Sequence, residues 1–158
     1  KSKNLSRKFE LNTLSASPKT LPGILYEFNS AELTSEAKLS IDTTLFEILI
    51  QNPSIIVEIA SHTDSKGQDD YNMRLSDQRA RSVVNYLNIK GINRDRMRSK
   101  GYGESVPIAD NEHEDGSDNP EGRRLNRRTE FAVVGTFEWG DEEEEPKEQG
   151  PPAGGIKF

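Results

Sequence analysis

Ile55-Ile56-Val57-Glu58-Ile59-Ala60 is apolar at nearly every position, and this run together with the segment after it decides the fold. Such a run reads as a central strand covered on at least one face. The polar stretch Ser61 to Asp70, with Gly67 inside it, reads as a loop at the C-terminal end of that strand. From about Asn72 a helix runs to Lys90, with Ala80, Val83, Val84 and Leu87 on one face and Gly91-Ile92 as its stop. A strand, a loop and a long helix in this order require a crossover, so part of the sheet is expected to be parallel.

Working outward, Ile24-Leu25-Tyr26-Glu27-Phe28 reads as a short strand. Thr34-Ser35-Glu36 starts a helix whose apolar stripe is Ile41, Leu45, Ile48 and Leu49, and Pro53 ends it. Arg96 to Tyr102 reads as a third strand and Thr129 to Val134 as the last. Between these two, Asn111 to Gly122 is acidic and reads as a mobile surface loop, across which the two strands are expected to pair antiparallel. The expected order is β-α-β-α-β-β. The fold class is α+β, a sandwich of one mixed sheet with helices packed on one face.

The 158 residues suit one domain with tails. Residues 1–20 read as a linker or an N-terminal extension that adds an edge segment. Residues 21–138 form the domain, and 139–158 an acidic, Pro/Gly-rich tail expected to be disordered. The first residue is Lys1, so the chain is read as a fragment or processed form of something larger. There is no cysteine, which excludes disulfides and thiolate metal sites. No apolar run reaches the roughly 20 residues of a membrane-spanning helix. Of the net charge of −6, the segment from Asp141 to Phe158 carries −4. The near-neutral remainder gives no long-range pull on nucleic acid.

The strand-end loop carries His62-Thr63-Asp64, and Arg79 lies fifteen positions after Asp64 on the following helix. Asn72, Leu75 or Ser76, and Arg79 share a helical face. Arg79 lies about 10 Å along the axis from Asn72, so the loop must double back for the charges to converge, and Gly67 makes that reversal cheap. A guanidinium grips a carboxylate with two parallel hydrogen bonds, and Asp64 takes an ammonium. The pair is therefore either a receptor for a small zwitterion or a plain internal salt bridge. It contains no nucleophile, which argues for binding rather than catalysis.

Other candidates read less sharply. His62 is tempting as a catalyst, but no serine or cysteine nucleophile pattern accompanies it, and a side chain hydrogen-bonding its loop is the plainer reading. The run Asp110 to Gly116 does not match a helix–loop–helix calcium site, and no metal or cofactor is expected. Arg123, Arg124, Arg127 and Arg128 form a basic cluster. Arg94, Arg96, Arg98 and Lys100 would line one strand face. No aromatics are interleaved with them as a base-stacking platform requires, so no nucleic acid is expected.

His62-Thr63-Asp64, Tyr71-Asn72, Leu75-Ser76, Arg79-Ala80, Gly101-Tyr102-Gly103-Glu104-Ser105, Pro107 to Asn111, Gly122-Arg123 and Asn126 to Phe131 occur in this order. Together, over roughly Leu25 to Val134, they resemble the OmpA C-terminal-like family, shared with the Pal lipoprotein and the MotB motor protein. The resemblance implies a domain that binds peptidoglycan non-covalently through the meso-diaminopimelate of the stem peptide, and it implies no enzyme. It implies Asp64 and Arg79 as the charge pair for that ligand's free end, with Asn72 and Leu75 as neighbouring contacts. It matches Phe28-Asn29 to an aromatic–Asp/Asn pair lining the same pocket. Thr63, His62, Arg127 and Arg128 are supporting, with Asn126 to Arg128 buttressing the ligand loop. Ser61 departs from the glycine many members carry there. The implied setting is periplasmic, as one module of a larger outer-membrane or periplasmic protein anchored to the wall. The alternative is a protein-interaction module of an envelope or secretion complex.

Overall fold

A computed structural model describes residues 18–24, 26–27 and 29–136. The first element is a two-residue strand, β1 (Lys19–Thr20). Helix α1 (Ser35–Ile41) passes through one wider π turn (Asp42–Phe46) into α2 (Glu47–Gln51). Then come β2 (Ile55–His62), the long α3 (Asp69–Ile89), a 3₁₀ turn (Arg94–Arg96) and β3 (Met97–Gly103). A short α4 (Pro120–Asn126) precedes β4 (Arg128–Thr136).

The sheet order is β1-β4-β2-β3. β2 pairs parallel with β3, from Val57↔Met97 to His62↔Gly103, and antiparallel with β4, from Ile55↔Thr136 to His62↔Arg128. The strand read as apolar is thus central, and Ile55, Val57 and Ile59 are fully buried. They meet Ile41, Leu45 and Leu49 of the first helical segment and Ala80, Val83, Val84 and Leu87 of α3 in one core. Thr34 caps α1, its hydroxyl accepting the Ala37 N–H at 3.1 Å, which satisfies a donor the helix start leaves open.

The parallel crossover is as expected, but four readings change. The last two strands do not pair with each other; each flanks β2. The acidic segment is not loop throughout: Asn119 accepts the Gly122 N–H, Pro120 occupies the first turn, and α4 begins. Proline is favoured there because its missing donor would be unsatisfied anyway. Among the described residues of 24–28, none is in a strand; the edge pairing falls to Lys19 and Thr20, opposite Phe131 and Glu130. The alternating basic strip is broken, because Arg94 and Arg96 lie in the 3₁₀ turn. Arg96 turns inward and donates to the carbonyls of Ile55, Leu49 and Asn52. Two of these carbonyls end or follow α2, where a cation is favoured by the helix dipole.

How α3 sits on the sheet is set by β3. A Cβ on Gly101 would fall 2.2 Å from the Asp77 nitrogen, so helix backbone and strand backbone are in direct contact there. The Gly103 N–H donates to the Ser76 hydroxyl at 2.9 Å. This close seat aligns the N-terminal half of α3 beside the end of β2, where the candidate site lies.

Candidate functional site

β2 runs through His62, two residues past the expected strand end at Ala60, and Thr63 is still tied to the Gly103 carbonyl by its N–H at 2.8 Å. Ser61 is therefore a strand residue, and its hydroxyl meets that of Thr129 on β4 at 2.9 Å. The chain then turns sharply. Asp64 Oδ1 accepts the Lys66 N–H at 2.9 Å, and Gly67 adopts a φ of 90°. Asn72 on the first turns of α3 donates to the Lys66 carbonyl at 2.9 Å. The loop thus doubles back, and its turn is fastened to the helix that carries Arg79.

The result is a cavity of about 400 Å³ at the end of β2. It brings together Asp64, Arg79, Asn72, Leu75 and Asn29, with Thr63, His62, Arg127 and Arg128 also on its wall. Phe28 lies outside the described residues. Asn72 is buried and engaged with the loop, so it positions the turn. Asn29 has a φ of 56° and accepts the Tyr71 hydroxyl.

Asp64 and Arg79 do not bridge each other. Asp64 Oδ2 accepts from Arg127 Nη1 at 2.7 Å and has Arg123 Nη1 at 3.5 Å. Arg79 is held from the other side: its Nε donates to the Ser30 carbonyl at 2.9 Å, and its guanidinium lies 4.6 Å from the centre of the Tyr26 ring. The Tyr26 hydroxyl donates back to the Arg79 carbonyl at 3.2 Å. Burial pulls the Arg79 guanidinium below the ordinary arginine range, with Tyr26, Tyr71 and Asp64 opposing that pull. Arginine is nonetheless a cation at any ordinary pH. Among the described residues, neither of its terminal nitrogens has a hydrogen-bond partner, so the plane of the fork is fixed while its outer edge stays open.

His62 does not hydrogen-bond its loop. Both ring nitrogens are buried without a hydrogen-bond partner among the described residues. The ring stacks on Tyr102 with centres 5.0 Å apart, and Nε2 is 3.7 Å from a Glu130 oxygen. Burial first, and the Arg128 charge second, hold it down to about 4 from an ordinary 6.5, while Glu130 pulls the other way. The unfolded chain binds this proton near pH 6.5 and the folded chain only near 4, so folding stability is lost as pH falls through that window. The expected loss from this group is up to about 3 kcal/mol. His62→Phe keeps the stack and removes the titration. Melting curves between about pH 7 and 4 should show a shallower decline for this variant than for the wild type; parallel declines would remove His62 as the cause.

Tyr26, Tyr71 and Arg123 also line the cavity but were not among the expected site residues. Tyr26 backs Arg79, Tyr71 lies two turns before Arg79 on the same face of α3, and Arg123 lies one turn before Arg127. Spacings of four and eight place residues on one helical face, so Tyr71 and Arg123 were within reach of the pattern.

The cavity thus carries a guanidinium, Arg79, and a buried carboxylate, Asp64, on its wall, each held by partners other than the other. Residues 25–120 match the OmpA family model, and the chain belongs to the OmpA family. It is 36% identical over 111 residues to outer membrane porin F of Pseudomonas aeruginosa, covering 70% of this chain and 30% of that protein. It is 41% identical over 110 residues to photosystem I P700 chlorophyll a apoprotein A2 of Gloeobacter violaceus, covering 70% of this chain and 12% of that protein. The chain thus spans less than a third of these relatives. Among solved structures, the fold matches the peptidoglycan-associated lipoprotein of Burkholderia pseudomallei with a TM-score of 0.58 and 22% identity, covering 70% of this chain and 88% of that one. It matches the cell wall anchor of the T6SS of Pseudomonas aeruginosa with a TM-score of 0.60 and 24% identity, covering 75% and 79%. Among the described residues no helix is long and apolar enough to cross a membrane.

Proposed function

We propose that the domain binds peptidoglycan non-covalently by holding the free end of a meso-diaminopimelate side chain, and so anchors a larger envelope protein to the wall in the periplasm. The observation that carries this is the open fork of Arg79 set across the cavity from Asp64. The free end of diaminopimelate bears one carboxylate and one ammonium, which match the two charges. Leu75 supplies an apolar wall for the methylene chain between the ligand's two ends. The names of two structural neighbours, a peptidoglycan-associated lipoprotein and a cell wall anchor, support the same reading. The proposed role is binding: the Asp64 and Arg79 pair contains no nucleophile, and the His62 ring is buried and stacked on Tyr102.

Co-sedimentation with purified sacculi tests it. The chain is expected to pellet with walls containing diaminopimelate and to stay in solution with walls carrying lysine instead, which lack the side-chain carboxylate. Equal pelleting with both walls would reject diaminopimelate as the ligand.

A further inference from the structure

Diaminopimelate's free end accounts for one positive and one negative charge, but the cavity holds more positive charge than that end neutralises. Arg128 is engaged with Glu130 and with the carbonyls of Asn126 and Val106. Arg123 is gripped by both Asp118 oxygens, at 2.7 and 2.8 Å, with Lys66 3.8 Å from the same carboxylate. The five cations Lys66, Arg79, Arg123, Arg127 and Arg128 thus face three carboxylates, Asp64, Asp118 and Glu130, a surplus of two positive charges, one of them on the exposed Lys66. Asp64 is also already occupied. An ammonium arriving at Oδ2 takes the place of Arg127 at 2.7 Å. That displaced guanidinium keeps its charge and is left without a carboxylate partner. Its side chain is 44% exposed, so it is free to turn toward the cavity mouth. Arg123, 15% exposed and clamped by Asp118, stays behind it as a fixed second cation.

We propose that Arg127, backed by Arg123, is a second anion subsite at the mouth of the cavity, selecting wall peptides with a further carboxylate on the peptide backbone. The inference rests on the peptidoglycan reading above. Two backbone carboxylates have the right chemistry: the α-carboxylate of the γ-linked glutamate before diaminopimelate, and the carboxylate at the diaminopimelate's own backbone end. Either one, paired with Arg127 as the ammonium takes Asp64, leaves only the exposed Lys66 as surplus charge. Recognition is then an exchange of ion partners.

The test is calorimetric titration of the full chain with the tripeptide L-Ala-γ-D-Glu-meso-diaminopimelate and with its two monoamides, each blocking one backbone carboxylate. Wild type is expected to bind one monoamide about tenfold more weakly than the acid, the scale of one charge-assisted hydrogen bond. The amide that shows the loss identifies the carboxylate. Arg127→Gln, with an unchanged melting temperature, is expected to bind acid and amide alike. If wild type binds both amides as well as the acid, or if Arg127→Gln keeps the full amide penalty, the subsite is wrong while the wall reading stands. If wild type binds no form of the tripeptide, the wall reading itself falls.

Discussion

Arg79→Ala is expected to lower affinity for a diaminopimelate-containing stem peptide by more than a hundredfold, about 3 kcal/mol or more. The size follows from where the guanidinium sits. Its Nε is engaged with the Ser30 carbonyl, and its face lies on Tyr26, so little ordering remains when a carboxylate docks on the open edge. Removing it leaves the ligand carboxylate without the forked pair of donors held in place for it. Arg79→Lys is expected to recover little, since a lysine offers a point charge and no parallel pair of donors. Asp64→Ala is a less clean test, because it also takes the partner from Arg127 and a neighbour from Arg123. Binding of the Arg79→Ala protein within twofold of wild type would show that the fork is not the anchor.

The largest effect on stability is expected from Gly101→Ala. The added Cβ would lie 2.2 Å from the Asp77 nitrogen and 2.6 Å from its Cα. These are backbone atoms in the middle of α3, so no side-chain rotation relieves the clash. Helix and strand must part. Overpacking of this kind costs about 1–3 kcal/mol where side chains can adjust, and backbone contact places this case at the top of that range or above it. Ser76, whose hydroxyl accepts the Gly103 N–H, moves with the helix. The variant should therefore lose wall binding along with melting temperature. Urea unfolding measures the first effect; a midpoint unchanged from wild type would mean that helix and strand backbones are not in direct contact at Gly101.

The sequence made the helices and the central strand legible because their apolar spacing is unambiguous. Ile55, Val57 and Ile59 alternate, and Ala80, Val83, Val84 and Leu87 repeat at helical spacing. It also made legible the turn that fastens Asp64 to α3, since Gly67 marked the reversal. Strand adjacency was not legible. Nothing local in Thr129 to Val134 says whether it lies beside β3 or on the far side of β2; that is settled by where buried faces meet. Ile24 to Phe28 misled for a related reason. Ile24 and Tyr26 do turn inward, but Tyr26 packs under a guanidinium, and neither residue is in a strand. Apolar periodicity reports burial and not which hydrogen bonds the backbone makes. Short α4 was missed because seven residues carry too little periodicity, although Asn119-Pro120-Glu121 signalled its start. The state of Asp64 was hidden for a different reason: its partner Arg127 is 63 positions away, and a long-range ion pair leaves no trace in spacing.

The strand order has a further consequence, for molecules packed side by side. A sheet ends in exposed backbone donors and acceptors, and a flat, uncharged edge invites another copy to add on. Among the described residues, one margin of this sheet is two residues long. The other is β3, which carries Arg98 and Lys100 toward solvent. What looks in the sequence like part of a polyanion-binding strip is, on this margin, like-charge repulsion between neighbours. Charge of this kind on an edge strand disfavours the addition of another strand along it.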